Sequence, residues 1–399
     1  MKSGITGLII AAAFIGPGTV TTASIAGASM GYALVWALVF SIIATCVLQE
    51  MASRLGLVSG KGLSEAITQT LTQAIPKWIG IILVVSAIGI GNAAYEGGNL
   101  TGAAMGLANV LPGTIRHWSL GLGAIAFVIL LRSNYAIVEK ILVSLVAVMS
   151  LVFIAIMFIA GIDVNAFADG IQQLGFSNTT LLLAIIGTTI VPYNLFLHAG
   201  LSASQSKASP LGDFDAELPK HRRQLFTSIG IGGIVTFAIM SSAASAFYLS
   251  DTVLSTNNIA SQLEPVLGEY ANIFFAIGLF SAGITSAITA PLAAGYAICG
   301  LFGWHCDLTH RAFKTVSITI LVVGVLVASL GLQPLVIIVI AQASNAVLLP
   351  ISAAFLLFVM NQKSIMGEQT NKSTSNALTV IILLVVLALA ASKIHALLS

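Results

Sequence analysis

Two short segments, Gly16-Pro17-Gly18-Thr19 and Val191-Pro192-Tyr193-Asn194, interrupt long apolar runs, and their prolines lie 175 positions apart. Proline removes a backbone donor and clashes with the preceding turn, while glycine lowers the cost of unwinding. An unwound turn in an apolar run frees carbonyl and N–H groups, and the flanking helix ends aim their dipoles at it. Such groups can hold an ion or a polar molecule. The side chains placed to complete that site are Gly16, Thr19, Thr21, Thr22, Asn92, Tyr95, Val191, Tyr193, Asn194, Gln342 and Asn345. Apart from the small Gly16 and apolar Val191, they supply hydroxyls and amides. Glu96 is the only carboxylate deep in an apolar run, and His198 follows the second break by about one turn. A charge at such depth is costly and usually functional, so Glu96 is a candidate for substrate contact, and Glu96 and His198 are candidates for carrying a coupling proton.

These residues sit in a chain of 399 residues that is 57% hydrophobic and only 8% charged, with a mean hydropathy of +1.02. Soluble domains are nearer one-quarter charged, so this composition excludes a soluble enzyme, a nucleic-acid binder and a disordered scaffold. An all-α integral membrane protein is expected. The three cysteines, Cys46, Cys299 and Cys306, form no CxxC pair and read as packing residues rather than a disulfide or metal framework. The first apolar stretch lacks a cleavage site and reads as a span rather than a signal peptide.

Stretches long enough to cross a bilayer, about 20 residues each, fall at 5–30, 33–53, 78–110, 119–136, 138–160, 179–201, 225–249, 270–302, 315–332, 334–360 and 377–397, which predicts eleven helices. With the N-terminus inside, Lys2, Arg54, Lys61, Lys77, Arg132, Lys140, Lys207, Lys220, Arg222, Arg223, Arg311, Lys314, Lys363 and Lys372 lie on the cytoplasmic side, against only Arg116 and Lys393 opposite. The positive-inside rule therefore places the N-terminus in the cytoplasm and the C-terminus outside. The expected location is a bacterial inner (plasma) membrane. Glu50 and Glu139 fall at cytoplasmic helix ends near Arg54 and Lys140, where solvated ion pairs are expected, and 202–224 reads as a solvated loop or short surface helix. Trp36, Trp78, Trp118 and Trp304 fall near span ends, as interfacial anchors do.

Each break lies in the first helix of a five-helix block. Residues 1–160 hold helices 1–5, residues 179–360 hold helices 6–10, and 377–397 is an extra helix. An odd number of helices per block inverts the second block relative to the first, and paired interruptions in equivalent helices point to a transporter binding site.

The chain resembles the NRAMP family of metal transporters, which share the LeuT-like inverted-repeat fold. The resemblance runs along nearly the whole chain. It is carried by Gly16-Pro17-Gly18-Thr19, Gly31-Tyr32, the run Leu48 to Gly60, Val191-Pro192-Tyr193-Asn194 through His198, the span-eight run Ser281 to Gly295, and Gln342 with Leu349-Pro350. By that resemblance, members hold a transition metal with the Asp and Asn of the first motif and the Met of the second. This sequence places Gly16, Thr19 and Val191 there, has Tyr193 for the first span-six histidine, and has Ala93 for a span-three acid; Glu96 and His198 persist.

Loss of a carboxylate beside a divalent ion forfeits roughly 8 kcal/mol of Coulomb energy at an effective dielectric of 20 before relaxation. Loss of the Met removes the soft ligand. The expected function is therefore a secondary transporter working by alternating access, carrying a small polar organic solute such as a sugar, polyol or amino acid. The alternative is a divalent metal cation transporter using Glu96, with hydrated Mg²⁺ favoured over Mn²⁺ or Fe²⁺ because Mg²⁺ keeps waters and needs one or two carboxylates. A channel would need a continuous polar path or charged rings, and an intramembrane enzyme an acid/base pair, a Ser/His pair or a metal cluster at depth. No cofactor, resident metal or nucleic acid is implied. The absence of a GxxxxGK[ST] loop implies no nucleotide drive from this chain, and nothing implies an ATPase subunit. The expected partners are the substrate and the lipid bilayer.

Overall fold

The computed structural model describes residues 15–132, 136–208, 214–250, 252–307 and 309–398, and all regular structure among them is helical. The first half of the predicted span one, 5–14, lies outside the described residues, as does the side chain of Glu139. In chain order the main helices are α1 (Pro17–Met30), α2 (Val35–Ser59), α3 (Leu63–Thr70), α4 (Ala74–Val84), α5 (Gly91–Ala108), α6 (Ile115–Leu131), α7 (Ala136–Ala160), α8 (Val164–Gln173), α9 (Thr179–Thr189), α10 (Pro192–Ala208), α11 (Phe214–Ala243), α12 (Ala271–Phe302), α13 (Arg311–Ala328), α14 (Pro334–Met360) and α15 (Ser373–Leu398). Among the described residues nine helical stretches are long and apolar enough to cross a membrane, and α6 is a shorter apolar helix.

These helices are apolar on every side, so burial of a stripe cannot be what brings them together. Exposed leucines, isoleucines and phenylalanines such as Ile43, Phe158, Leu326 and Leu384 cover the outer faces, as expected where the surroundings are hydrocarbon. Association in that setting depends on small residues that let backbones approach. At Gly27 a Cβ would lie 2.0 Å from the Met240 carbonyl oxygen, and at Gly187 it would lie 1.9 Å from that of Gln342. The first seam joins α1 to α11 and the second joins α9 to α14.

Polar side chains set where helices start. Asn178 Oδ1 accepts the Leu181 N–H at 3.1 Å and begins α9; Thr114 caps α6 in the same way. Removing such a cap typically costs about 1 kcal/mol. Asn178→Ala is expected to lower stability by that amount and Asn178→Ser to restore it, read as unfolding midpoints of the purified protein. Equal midpoints for all three would show that the cap contributes nothing.

The basic-rich end differs from the sequence expectation. Within 202–224 the described residues are helical, but as the end of α10 and the first part of the long α11 rather than a separate loop or short surface helix, and Glu50 and Arg54 form no solvated pair. Both are buried, and Arg54 Nε donates to Glu50 Oε1 at 3.0 Å. Arg222 of α11 adds Nη2 to the same oxygen at 2.7 Å. Arg54 also donates Nη2 to Asn371 Oδ1 at 2.8 Å and Nη1 to the Gln369 carbonyl. Helix α11 thus brings a second, partly exposed cation over the end of α2, and residues 369–371 cover Arg54 from another side.

Candidate functional site

Helix α9 stops at Thr189 and α10 starts at Pro192, leaving Ile190 and Val191 outside helical geometry in the middle of one apolar stretch, Thr179–Ser206. Proline at the head of α10 supplies no N–H and fits the first helical position. On the other side, Gly16 is extended (φ −89°, ψ 172°) and Pro17 opens α1. The start of α1 meets the end of α9: Thr19 Oγ1 and Thr188 Oγ1 are 3.0 Å apart and buried.

Three other helices close over this meeting point. Gln342 of α14 lies on Gly18, where a Cβ would come within 2.0 Å of its Nε2. Pro17 fits against Gly102 of α5, where a Cβ would approach the ring at 2.5 Å. A π-bulge at Val85–Ile90 precedes α5, and Asn92, Tyr95 and Asn99 follow it on the face turned to α1 and α12. The Tyr95 and Tyr193 rings meet edge to face at 5.3 Å. From α12, Ser286 faces Gly16, where a Cβ would lie 3.0 Å from Ser286 Oγ, 3.7 Å from Tyr95 Oη and 3.8 Å from Asn99 Oδ1.

The predicted residues divide by what their side chains already do. Asn92 donates Nδ2 to the Ala290 carbonyl at 3.0 Å, and Asn345 donates to the Gly187 carbonyl at 3.4 Å; both act as pegs between helices. Val191 supplies a carbonyl that receives the Asn194 N–H at 3.1 Å. His198 Nδ1 meets Gln49 Oε1 of α2 at 2.8 Å, whereas the Cβ and Cγ of Glu96 pack against Gly324 of α13. The two proton-coupling candidates therefore have separate surroundings. By contrast, the side-chain oxygens or nitrogens of Thr21, Thr22, Glu96, Asn99, Tyr193, Asn194 and Gln342 are buried without a hydrogen-bond partner. Asn99, Ser286, Thr188 and Gln49 were not singled out from the sequence. Asn99 was findable, lying one turn beyond Glu96 and Tyr95 on a glycine-rich helix; the other three are ordinary residues whose role depends on which helix faces them.

Glu96 has no basic neighbour across a salt bridge among the described residues, where ion pairs involve Glu50. Among the described residues no group of three or more His, Cys, Asp or Glu could hold a metal ion. The site therefore offers hydroxyls, amides, backbone ends and one carboxylate.

The fold is LeuT-like: an all-helical chain whose apolar stretch Thr179–Ser206 leaves helical geometry at Ile190 and Val191. The chain is a member of the Nramp family, described as natural resistance-associated macrophage protein-like, whose profile matches residues 7–395. It is 27% identical over 368 residues to the divalent metal cation transporter MntH of Acidiphilium cryptum, covering 90% of this chain and 82% of that one. It is 25% identical over 390 residues to MntH of Yersinia pestis, covering 96% and 91%. In structure it resembles the Eremococcus coleocola manganese transporter at a TM-score of 0.75 and 21% identity, covering 99% of this chain and 86% of that one. It also resembles a nucleobase-cation-symport-1 family transporter at 0.60 and 15%, covering 98% and 91%.

Proposed function

We propose that this Nramp-family chain transports a small polar organic solute by alternating access, at the junction of Gly16–Thr19 and Ile190–Asn194. The supporting observation is the set of buried, unpartnered polar groups there: Thr21, Thr22, Asn99, Tyr193, Asn194 and Gln342. An unsatisfied buried donor or acceptor costs about 1–3 kcal/mol, and a group of them at one place is sustained where a ligand satisfies them during the working cycle. Thr19, Thr22, Tyr193, Asn194 and Gln342 would contact the solute, with Glu96 beside it and Asn92, Val191 and Asn345 holding the helices that present them. Gly16 supplies space rather than charge.

In this reading eleven spans form two inverted five-helix units, 1–160 and 179–360, followed by 377–397. Spans one, two, six and seven rock against the rest, with the N-terminus in the cytoplasm of a bacterial cell, the C-terminus outside and the inner membrane as location. Proton coupling through Glu96 or His198 belongs to the same proposal. A second reading, transport of hydrated Mg²⁺ through Glu96, is favoured by the relatives named divalent metal cation transporters.

One experiment separates them. Detergent-purified protein is heated with Mg²⁺, Mn²⁺ and Cd²⁺ and with sugars, polyols and amino acids; a ligand at 100 times its dissociation constant stabilises by about 2.7 kcal/mol. A saturable shift with an organic solute and none with metals is expected. A saturable metal shift that disappears in Glu96→Gln, with no organic response, would overturn the organic reading.

A further inference from the structure

A cavity of about 1480 Å³ lies between α1, α5, α9, α14 and the segment 252–254, and no residue of 16–19 or 190–194 lines it. Its long wall is one face of α14, where Val336, Ile340, Ala343 and Val347 recur at helical spacing. The buried Gln342 and Asn345 lie on the other face of that helix. At the inner end Leu348 lies on Gly91, where a Cβ would come 2.6 Å from the leucine Cδ1. Hydroxyls on these walls are already spent within their own helices: Ser344 Oγ donates to the Ile340 carbonyl at 2.9 Å, and Ser29 Oγ to the Ile25 carbonyl at 2.6 Å. The inner part therefore presents hydrocarbon.

The other end has the opposite chemistry. Lys393 of α15, half-buried, reaches it beside Gln333 and Asn178, which precede the first turns of α14 and α9. Lys393 has no carboxylate partner among the described residues, where ion pairs involve Glu50, and no Asp or Glu is among the described residues that line the cavity. The Asn178 amide oxygen is taken by the Leu181 N–H, which leaves its N–H₂ as a donor. This rim is cationic and rich in donors, so it suits an anion.

The occupant thus has a long apolar body and an anionic head. From Gln333 to Val347 the wall runs about 21 Å along α14 at 1.5 Å per residue. That is the depth of one leaflet with its headgroups, half of a bilayer about 40–45 Å thick. The volume exceeds the about 300–1,000 Å³ typical of sites for drug-sized ligands. A water-borne solute would leave the apolar walls unanswered, and an uncharged lipid would leave Lys393 uncompensated. We propose that the cavity seats one anionic phospholipid, its chains along α14 and its phosphate at Lys393, in the leaflet at the end of α14 remote from residues 369–371. This seat is separate from the transport site and does not depend on which solute is carried.

The test uses the full-length protein in detergent, titrated with phosphatidylglycerol, zwitterionic phosphatidylcholine or chain-free glycerol 3-phosphate, and read by native mass spectrometry and unfolding midpoint. Phosphatidylglycerol is expected to give a saturable one-lipid adduct and a raised midpoint, with phosphatidylcholine needing at least fivefold more and glycerol 3-phosphate giving neither. Lys393→Ala is expected to erase the preference for the anionic lipid and Lys393→Arg to keep it. Arg116→Ala, which removes the other cation expected on that side, should leave the preference unchanged. Ala343→Phe, whose ring enters the cavity, should weaken both lipids at least fivefold with the unliganded midpoint retained. Equal affinity for the two lipids, or a loss in Arg116→Ala as large as in Lys393→Ala, would overturn the proposal in favour of general adsorption. It would be overturned equally by glycerol 3-phosphate binding as well as the lipid, or by lipid binding that a folded Ala343→Phe leaves intact.

Discussion

Gly187→Ala is expected to destroy the packing of α9 on α14. The added methyl would sit 1.9 Å from the Gln342 carbonyl oxygen and 2.8 Å from the Ala346 nitrogen. Both are backbone atoms, so no rotamer change relieves the clash, and the helices must part by more than an ångström. That separation also lifts Gln342 off Gly18 and breaks the Asn345 bond to the Gly187 carbonyl. Overpacking usually costs about 1–3 kcal/mol, and here the upper part of that range or more is expected. The measurement is the unfolding midpoint and the gel-filtration profile of the variant in detergent. A variant that melts with the parent protein would mean that the two backbones do not approach as described.

Glu50→Ala is expected to have the second large effect. It leaves Arg54, 4% exposed, without its carboxylate, and uncouples Arg222 of α11 from α2. Breaking a buried ion pair from one side costs about 3–5 kcal/mol. The lower end applies because Arg222 is 42% exposed and Arg54 keeps Asn371 and the Gln369 carbonyl. Double replacement, Glu50→Ala with Arg54→Met, should recover part of the loss by removing the stranded charge. Should the single variant unfold at the parent's midpoint, the pair would be a solvated one after all.

Membrane class was legible because it depends on composition: no arrangement of 8% charged residues covers a water-facing surface of this size. The end of α9 was legible because proline opens a helix far more readily than it continues one, and α9 does end at Thr189 with Pro192 heading α10, although Pro219, Pro291 and Pro350 lie inside helices. The family resemblance rested on motifs at fixed spacing, which survive where ligand identity does not. Tertiary neighbours were not legible. Asn92 and Asn345 read as binding amides, yet each is taken by a carbonyl on another helix, and no local pattern records which helix will face them. Glu50 and Arg54 read as a solvated pair because spacing places them near a span end; what buries them arrives from Arg222 and from residues 369–371, far away in sequence. Ser286 was one hydroxyl among many on α12 until Gly16 was placed opposite it.

The hydrogen bond from Arg54 to the Gln369 carbonyl spans 315 positions of sequence, and the one from Arg222 to Glu50 spans 172. Read along the direction of synthesis, α2 enters the bilayer long before either partner exists. At about 5–20 residues per second, the final contact waits on the order of 15–60 s after Arg54 leaves the ribosome. During that interval the cationic head of Arg54 has Glu50 alone, then gains the company of Arg222, and is sealed only when the linker before α15 is made. A chain stopped short of that linker keeps an unsealed polar knot at one membrane face.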